Sequence, residues 1–174
     1  MARSKLRNFH LIILVVALAT SQAWASGLPN PLLTPGAVDL SVTQENIQST
    51  VCVRGYTKTV RPPSYYTNKL KKMQVREYGY DDRNPKHYEE DHLIALSIGG
   101  NPRDPRNLWP EPRKGEWNAS RKDDLEYIIY RMVCRGEIPL ADAQREMASD
   151  WIGAYKKYVH EKGRSRKHKY GHVD

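Results

Sequence analysis

The sequence predicts an α+β fold, a two-stranded hairpin followed by a helix and surrounded by additional helices, on three observations. Residues 88–98 combine aromatic and β-branched positions and stop at Gly99-Gly100, the pattern of a strand that turns back. Asn107-Leu108-Trp109 fits a short second strand closed by Pro110 and Pro112. From Glu116 the period changes, because Leu125, Ile128, Ile129, Met132 and Val133 recur at helical spacing until Gly136 supplies a stop.

The chain opens with Arg3, Lys5 and Arg7, an apolar run from Leu11 to Ala19, and small residues ending in Ala23-Trp24-Ala25. That is the layout of a secretory signal peptide over residues 1–25, and the run is shorter than the roughly 20 apolar residues a bilayer span requires. The expected destination is the periplasm or the exterior. Residues 26–36 hold Pro29, Pro31 and Pro35 and should form an irregular arm. Thr43 suits the cap of a short helix over residues 44–50, and Val51-Cys52-Val53 is β-prone. Arg61-Pro62-Pro63 forces extended backbone, and Ser64 can cap a helix running to about Glu77, ended by Gly79. After the hairpin and its helix, Pro139 suits the start of a last helix whose stripe, Leu140, Ala143, Met147, Trp151 and Tyr155, continues to about Tyr158 and reads as core. Residues 26–158 thus make one domain with an N-terminal arm, and residues 159–174 a basic, flexible tail.

The 174 residues carry 28 Lys and Arg against 20 Asp and Glu. Three bases lie in the leader, and residues 156–174 hold seven against Glu161 and Asp174, which leaves 18 of each sign over residues 26–155. The excess positive charge is therefore in the tail, which either attracts polyanions through a salt-sensitive term or is a solvated end. Cys52 and Cys134 are the only cysteines, so a four-thiolate zinc site is excluded and no structural zinc is expected. An oxidising compartment favours joining them, and two separate buried thiols are the alternative. No internal repeat or Gly-rich phosphate loop occurs.

Chemistry concentrates in Glu89-Glu90-Asp91-His92. Residues two apart on a strand share a face, so Glu89 and Asp91 point one way while Glu90 and His92 point the other. The run continues through Leu93-Ile94, Gly99-Gly100, Asn107-Leu108-Trp109-Pro110-Glu111-Pro112, then Asn118 and Lys122-Asp123-Asp124-Leu125-Glu126. Over residues 88–134 this resembles the HNH, or ββα-metal, endonucleases, and the segment from residue 26 onward resembles a group of exported bacterial HNH-type proteins.

The resemblance implies a hydrolase acting on nucleic-acid phosphodiester bonds, DNA ahead of RNA, with Mg²⁺ or Mn²⁺ as cofactor. Asp91 and Asn118 would supply the metal's two protein oxygens, with Glu89 as a further ligand and Asp123 or Glu116 as substitutes if the helix is offset. His92, with an ordinary pKa near 6.5, would accept the attacking water's proton. Asn107 would fasten the turn and orient the His92 ring. Arg106, Arg113, Arg121 and Lys122 would hold substrate phosphates from the turn and the helix start. Trp109 and Trp117 read as packing ahead of base stacking. The alternative is an exported nucleic-acid or anionic-surface binding protein on an inactive scaffold of the same type.

Overall fold

A computed structural model describes residues 28–159; residues 1–25, expected to be a signal peptide, and nearly all of the basic tail lie outside this range. Strand β1 (Tyr88–His92) pairs antiparallel with β2 (Leu108–Pro112), in register from Tyr88 opposite Pro112 to His92 opposite Leu108. Four helices surround the hairpin: α1 (Tyr56–Val60), α2 (Ser64–Glu77), α3 (Ala119–Cys134) and α4 (Leu140–Tyr158). α2 lies against both strands, and α3 packs along α4.

Two prolines survive inside β2 because of the register. Leu93 N–H donates to the Asn107 carbonyl and Arg113 N–H to the His87 carbonyl, so the hydrogen-bonded pairs fall at 91/109 and 89/111. Pro110 and Pro112 occupy the alternate positions, where a backbone N–H would point away from the partner, and no ladder bond is lost.

The first strand is shorter than its composition suggests. It ends at His92, and Leu96–Ile98 forms a single 3-10 turn instead of continuing the strand. The cause is Asn107, fully buried. Its Oδ1 accepts Ile94 N–H at 2.9 Å while its Nδ2 donates to the carbonyls of Ile94 and Asn101, both at 3.0 Å. This clamp folds residues 93–107 back on themselves. Gly100 permits it, since a Cβ there would lie 1.7 Å from the Ile94 carbonyl oxygen. The expected helix over 44–50 is reduced to one turn at Ile47–Ser49, Val51–Val53 is turn and not strand, and α1 follows where no helix was expected.

α2 runs over Ser64–Glu77 with Pro63, not Ser64, at its N-cap, and Gly79 after it takes φ +68°. Asn118 caps α3, which begins at Ala119 rather than near Glu116. The stripe of α4 is buried as its spacing requires, and the helix is broken at Asp150 (φ −161°, ψ 77°). A disulfide joins Cys52 to Cys134 with Cα atoms 5.6 Å apart and a separation of 82 residues. Closing so long a loop contributes about 4–5 kcal/mol in the chain-entropy model. Among the described residues no helix is long and apolar enough to cross a membrane.

Candidate functional site: a buried ammonium beneath the hairpin

The alternation of β1 directs Glu89 and Asp91 toward α3, with Glu111 and Trp109 opposite them on the same face. From α3 comes Lys122, whose side chain has no solvent exposure. Its Nζ donates to Asp91 Oδ2 at 2.6 Å, to the His92 carbonyl at 2.7 Å, and to Glu126 Oε1 one helical turn on. An ammonium has three N–H bonds, and all three are used.

The surrounding charges set the protonation of this cluster. Burial alone would lower the Lys122 pKa, but Asp91, Glu126 and Glu111 around it raise it well above its ordinary value. Burial opposes ionisation of Asp91 too, yet the Lys122 ammonium holds its carboxyl below the usual carboxylate range. Glu126 is pushed up by burial despite the same ammonium. Glu111 is fully enclosed, and burial drives its pKa far upward. Neither of its oxygens meets an N–H or O–H donor. Of the two neighbouring carboxyls, Glu111 is the weaker acid and keeps its proton while Asp91 is ionised.

On the opposite face His92 is 4% exposed, and its Nε2 lies 3.1 Å from the Pro102 carbonyl. A carbonyl only accepts, so Nε2 carries the proton and Nδ1 keeps its lone pair. Burial lowers the pKa of the ring, partly offset by Asp91, which leaves it neutral near pH 7. The Asn107 clamp shapes the loop that carries Pro102 and so acts on the ring from a distance.

The other expected site residues are engaged with partners of their own. Asn118 Oδ1 accepts Arg121 N–H at 3.3 Å and its Nδ2 donates to the Gly115 carbonyl at 2.7 Å, so the amide closes the first turn of α3. Glu89 is paired with Arg113 at 2.8 Å and Arg106 with Asp104 at 2.5 Å. The Arg121 guanidinium lies over the rings of Trp117 and Tyr155, 5.3 and 5.5 Å from their centroids. Lys122, expected to grip substrate, is sealed inside because it extends the buried stripe of Leu125, Ile129 and Val133 by one turn toward the helix start. Trp109 is fully buried core.

A Mg²⁺ or Mn²⁺ shared by Asp91 and Asn118 would have to displace the partners these two side chains already have. Asp91 Oδ2 is taken up by Lys122, and the Asn118 amide serves its own backbone. Among the described residues no group of three or more His, Cys, Asp or Glu side chains could hold a metal ion. Glu111 and Glu126 were not singled out from the sequence, although two signals pointed to them. The i, i+4 spacing of Lys122 and Glu126 on a helix brings the two side chains together. The two-residue spacing of Glu111 from Trp109 puts both on one face of β2.

No family model matches the chain, and neither a curated protein nor a solved structure matches it.

Proposed function

We propose that this chain is an exported nucleic-acid-binding protein on an HNH-type scaffold in which its own Lys122 takes the place of the catalytic metal. One observation carries the reading: the ammonium spends every N–H on Asp91, the His92 carbonyl and Glu126, so the carboxylate that would bind a cation is already neutralised. The order of Asp91, His92, Asn107 and Asn118 across strand, loop and helix supports the scaffold assignment, and the basic leader, the disulfide and the basic tail support export and a polyanionic partner.

A metal-dependent nuclease is the second reading, and the His92 tautomer favours it. A neutral imidazole with Nε2 tied to Pro102 presents Nδ1 as a general base. Nicking of supercoiled plasmid by the purified mature chain in Mg²⁺, Mn²⁺ or EDTA separates the two. The expected result is binding without metal-dependent cleavage. Cleavage that needs Mg²⁺ or Mn²⁺ and disappears in both Asp91→Ala and His92→Ala would restore the nuclease.

A further inference from the structure

The even charge balance of residues 26–155 conceals a separation. Residues 54–76 contain seven Lys and Arg and no Asp or Glu, so the remainder of that span has 11 bases against 18 acids. Most of this basic stretch is α2. Its inner side is settled by Gln74, which donates to the Leu108 carbonyl at 2.7 Å, and by buried Val75. Its outer side carries Tyr65, Lys69, Lys72, Met73 and Arg76, all exposed and spaced by three or four residues along one stripe. None of Lys69, Lys72 and Arg76 has a side-chain hydrogen bond or ion pair among the described residues. Like charges at these spacings cost a helix about 0.2–0.5 kcal/mol each, a cost that an anionic partner reverses.

We infer that the outer face of α2 is the seat of a polynucleotide backbone, with Lys69, Lys72 and Arg76 on successive phosphates and Tyr65 as a stacking platform. The inference rests on the nucleic-acid-binding reading above and specifies its surface. From Lys69 to Arg76 the helix rises about 10 Å, the axial span of roughly three phosphates on one strand. Tyr65, 75% exposed, offers a ring face for a base at the N-terminal end of the stripe. That end adjoins the loop that holds His92, since Tyr66 Oη donates to the Arg103 carbonyl at 2.5 Å and the Arg103 guanidinium lies over the Tyr66 ring. An anionic membrane is the weaker match. A surface-bound helix inserts a continuous apolar face, and the apolar face of α2 is committed to the core, leaving outside only Tyr65 and Met73, two turns apart.

The test is fluorescence anisotropy of a labelled oligodeoxynucleotide, single-stranded and duplex, titrated with the disulfide-bonded mature chain over a range of salt. Lys69→Gln/Lys72→Gln/Arg76→Gln should flatten the plot of log K against log salt by about 2 to 3 units and weaken binding at low salt at least tenfold. Lys86→Gln/Arg135→Gln/Arg145→Gln removes the same charge from other surfaces and should change the slope by less than one unit. Equal losses in the two triple variants would overturn the α2 assignment and leave general attraction by net charge. Unchanged binding in the α2 variant would overturn the surface while keeping the binding reading. No binding by the parent chain at low salt would overturn both. Retention on phosphatidylserine vesicles through the α2 bases, without oligonucleotide binding, would replace the nucleic acid with a membrane and overturn the proposal.

Discussion

On the α3 side of the hairpin Asp91 meets a fully enclosed ammonium, whereas on the α2 side Glu90 meets no hydrogen-bond donor at all. Lys71 lies near Glu90 but gives its own bond to the Tyr88 carbonyl at 3.3 Å, and burial pushes the Glu90 carboxyl up to about 9. One face thus holds an ion pair in the interior beside the neutral Glu111, and the other holds only a neutral acid there and gives it no ammonium partner. The difference teaches where each kind of charge is useful. A buried ammonium with three acceptors joins a strand to a helix and has nothing left for a ligand, while unpaired cations on an outer helix face remain free to meet one.

The largest expected effect breaks the α3 side. Lys122→Met leaves Asp91 and Glu126 buried without their cation and should cost about 3–5 kcal/mol, read from urea unfolding with the disulfide intact. Adding Asp91→Asn should recover part of that loss. A loss below about 1 kcal/mol for the single variant would show that the ammonium does not tie the hairpin to α3.

Both sides are sharpened by pH. Glu90 and Glu111 have folded pKa values above their ordinary ones, so the stability they leave intact in acid is lost as pH rises, through about 9 for Glu90. Asp91 has the opposite sign. Its contribution is present above its ordinary range and disappears as the solution falls below it. Stability should therefore peak in mild acid and decline toward alkaline pH, with a slope of up to about 1.4 kcal/mol per pH unit for each group that titrates. Glu90→Gln should flatten that decline while leaving the acid limb unchanged. An unaltered unfolding midpoint between mild acid and mild alkali in the parent chain would contradict the neutral state of Glu90.

The smallest effect belongs to the rim. Glu89 and Arg113 form an ion pair in which both side chains are more than a third exposed. Arg113→Ala should change stability by no more than about 1 kcal/mol, and the change should vanish at high salt. A larger, salt-resistant loss would mean that this pair belongs to the buried cluster after all.

Much of this architecture was legible in the residues. The helical period of Leu125, Ile129 and Val133 and the stripe of α4 follow from spacing alone, whereas Asn118, expected to hold a metal, caps α3. The α2 bounds followed from the prolines before it and Gly79 after it. β1 was read six residues too long, because alternation cannot see that a side chain from position 107 will bind the backbone at position 94. The prolines of β2 read as its end, because only a register shows that they sit between ladder bonds. Lys122 read as a surface base for the same kind of reason, although its place one turn before Leu125 on the apolar stripe was visible.

By itself, then, the sequence determined the elements whose causes are local: a helix needs its own period and caps, whereas a strand's end depends on contacts its alternation does not show. Pairing across distance was settled by the tertiary structure, since whether a lysine is a solvated charge or a sealed one depends on which carboxylates the fold brings within about 3 Å of it. A buried charge is tolerable only where such partners exist, and partners 31 and 4 residues away along the chain are brought to one ammonium by the packing of α3 against the hairpin.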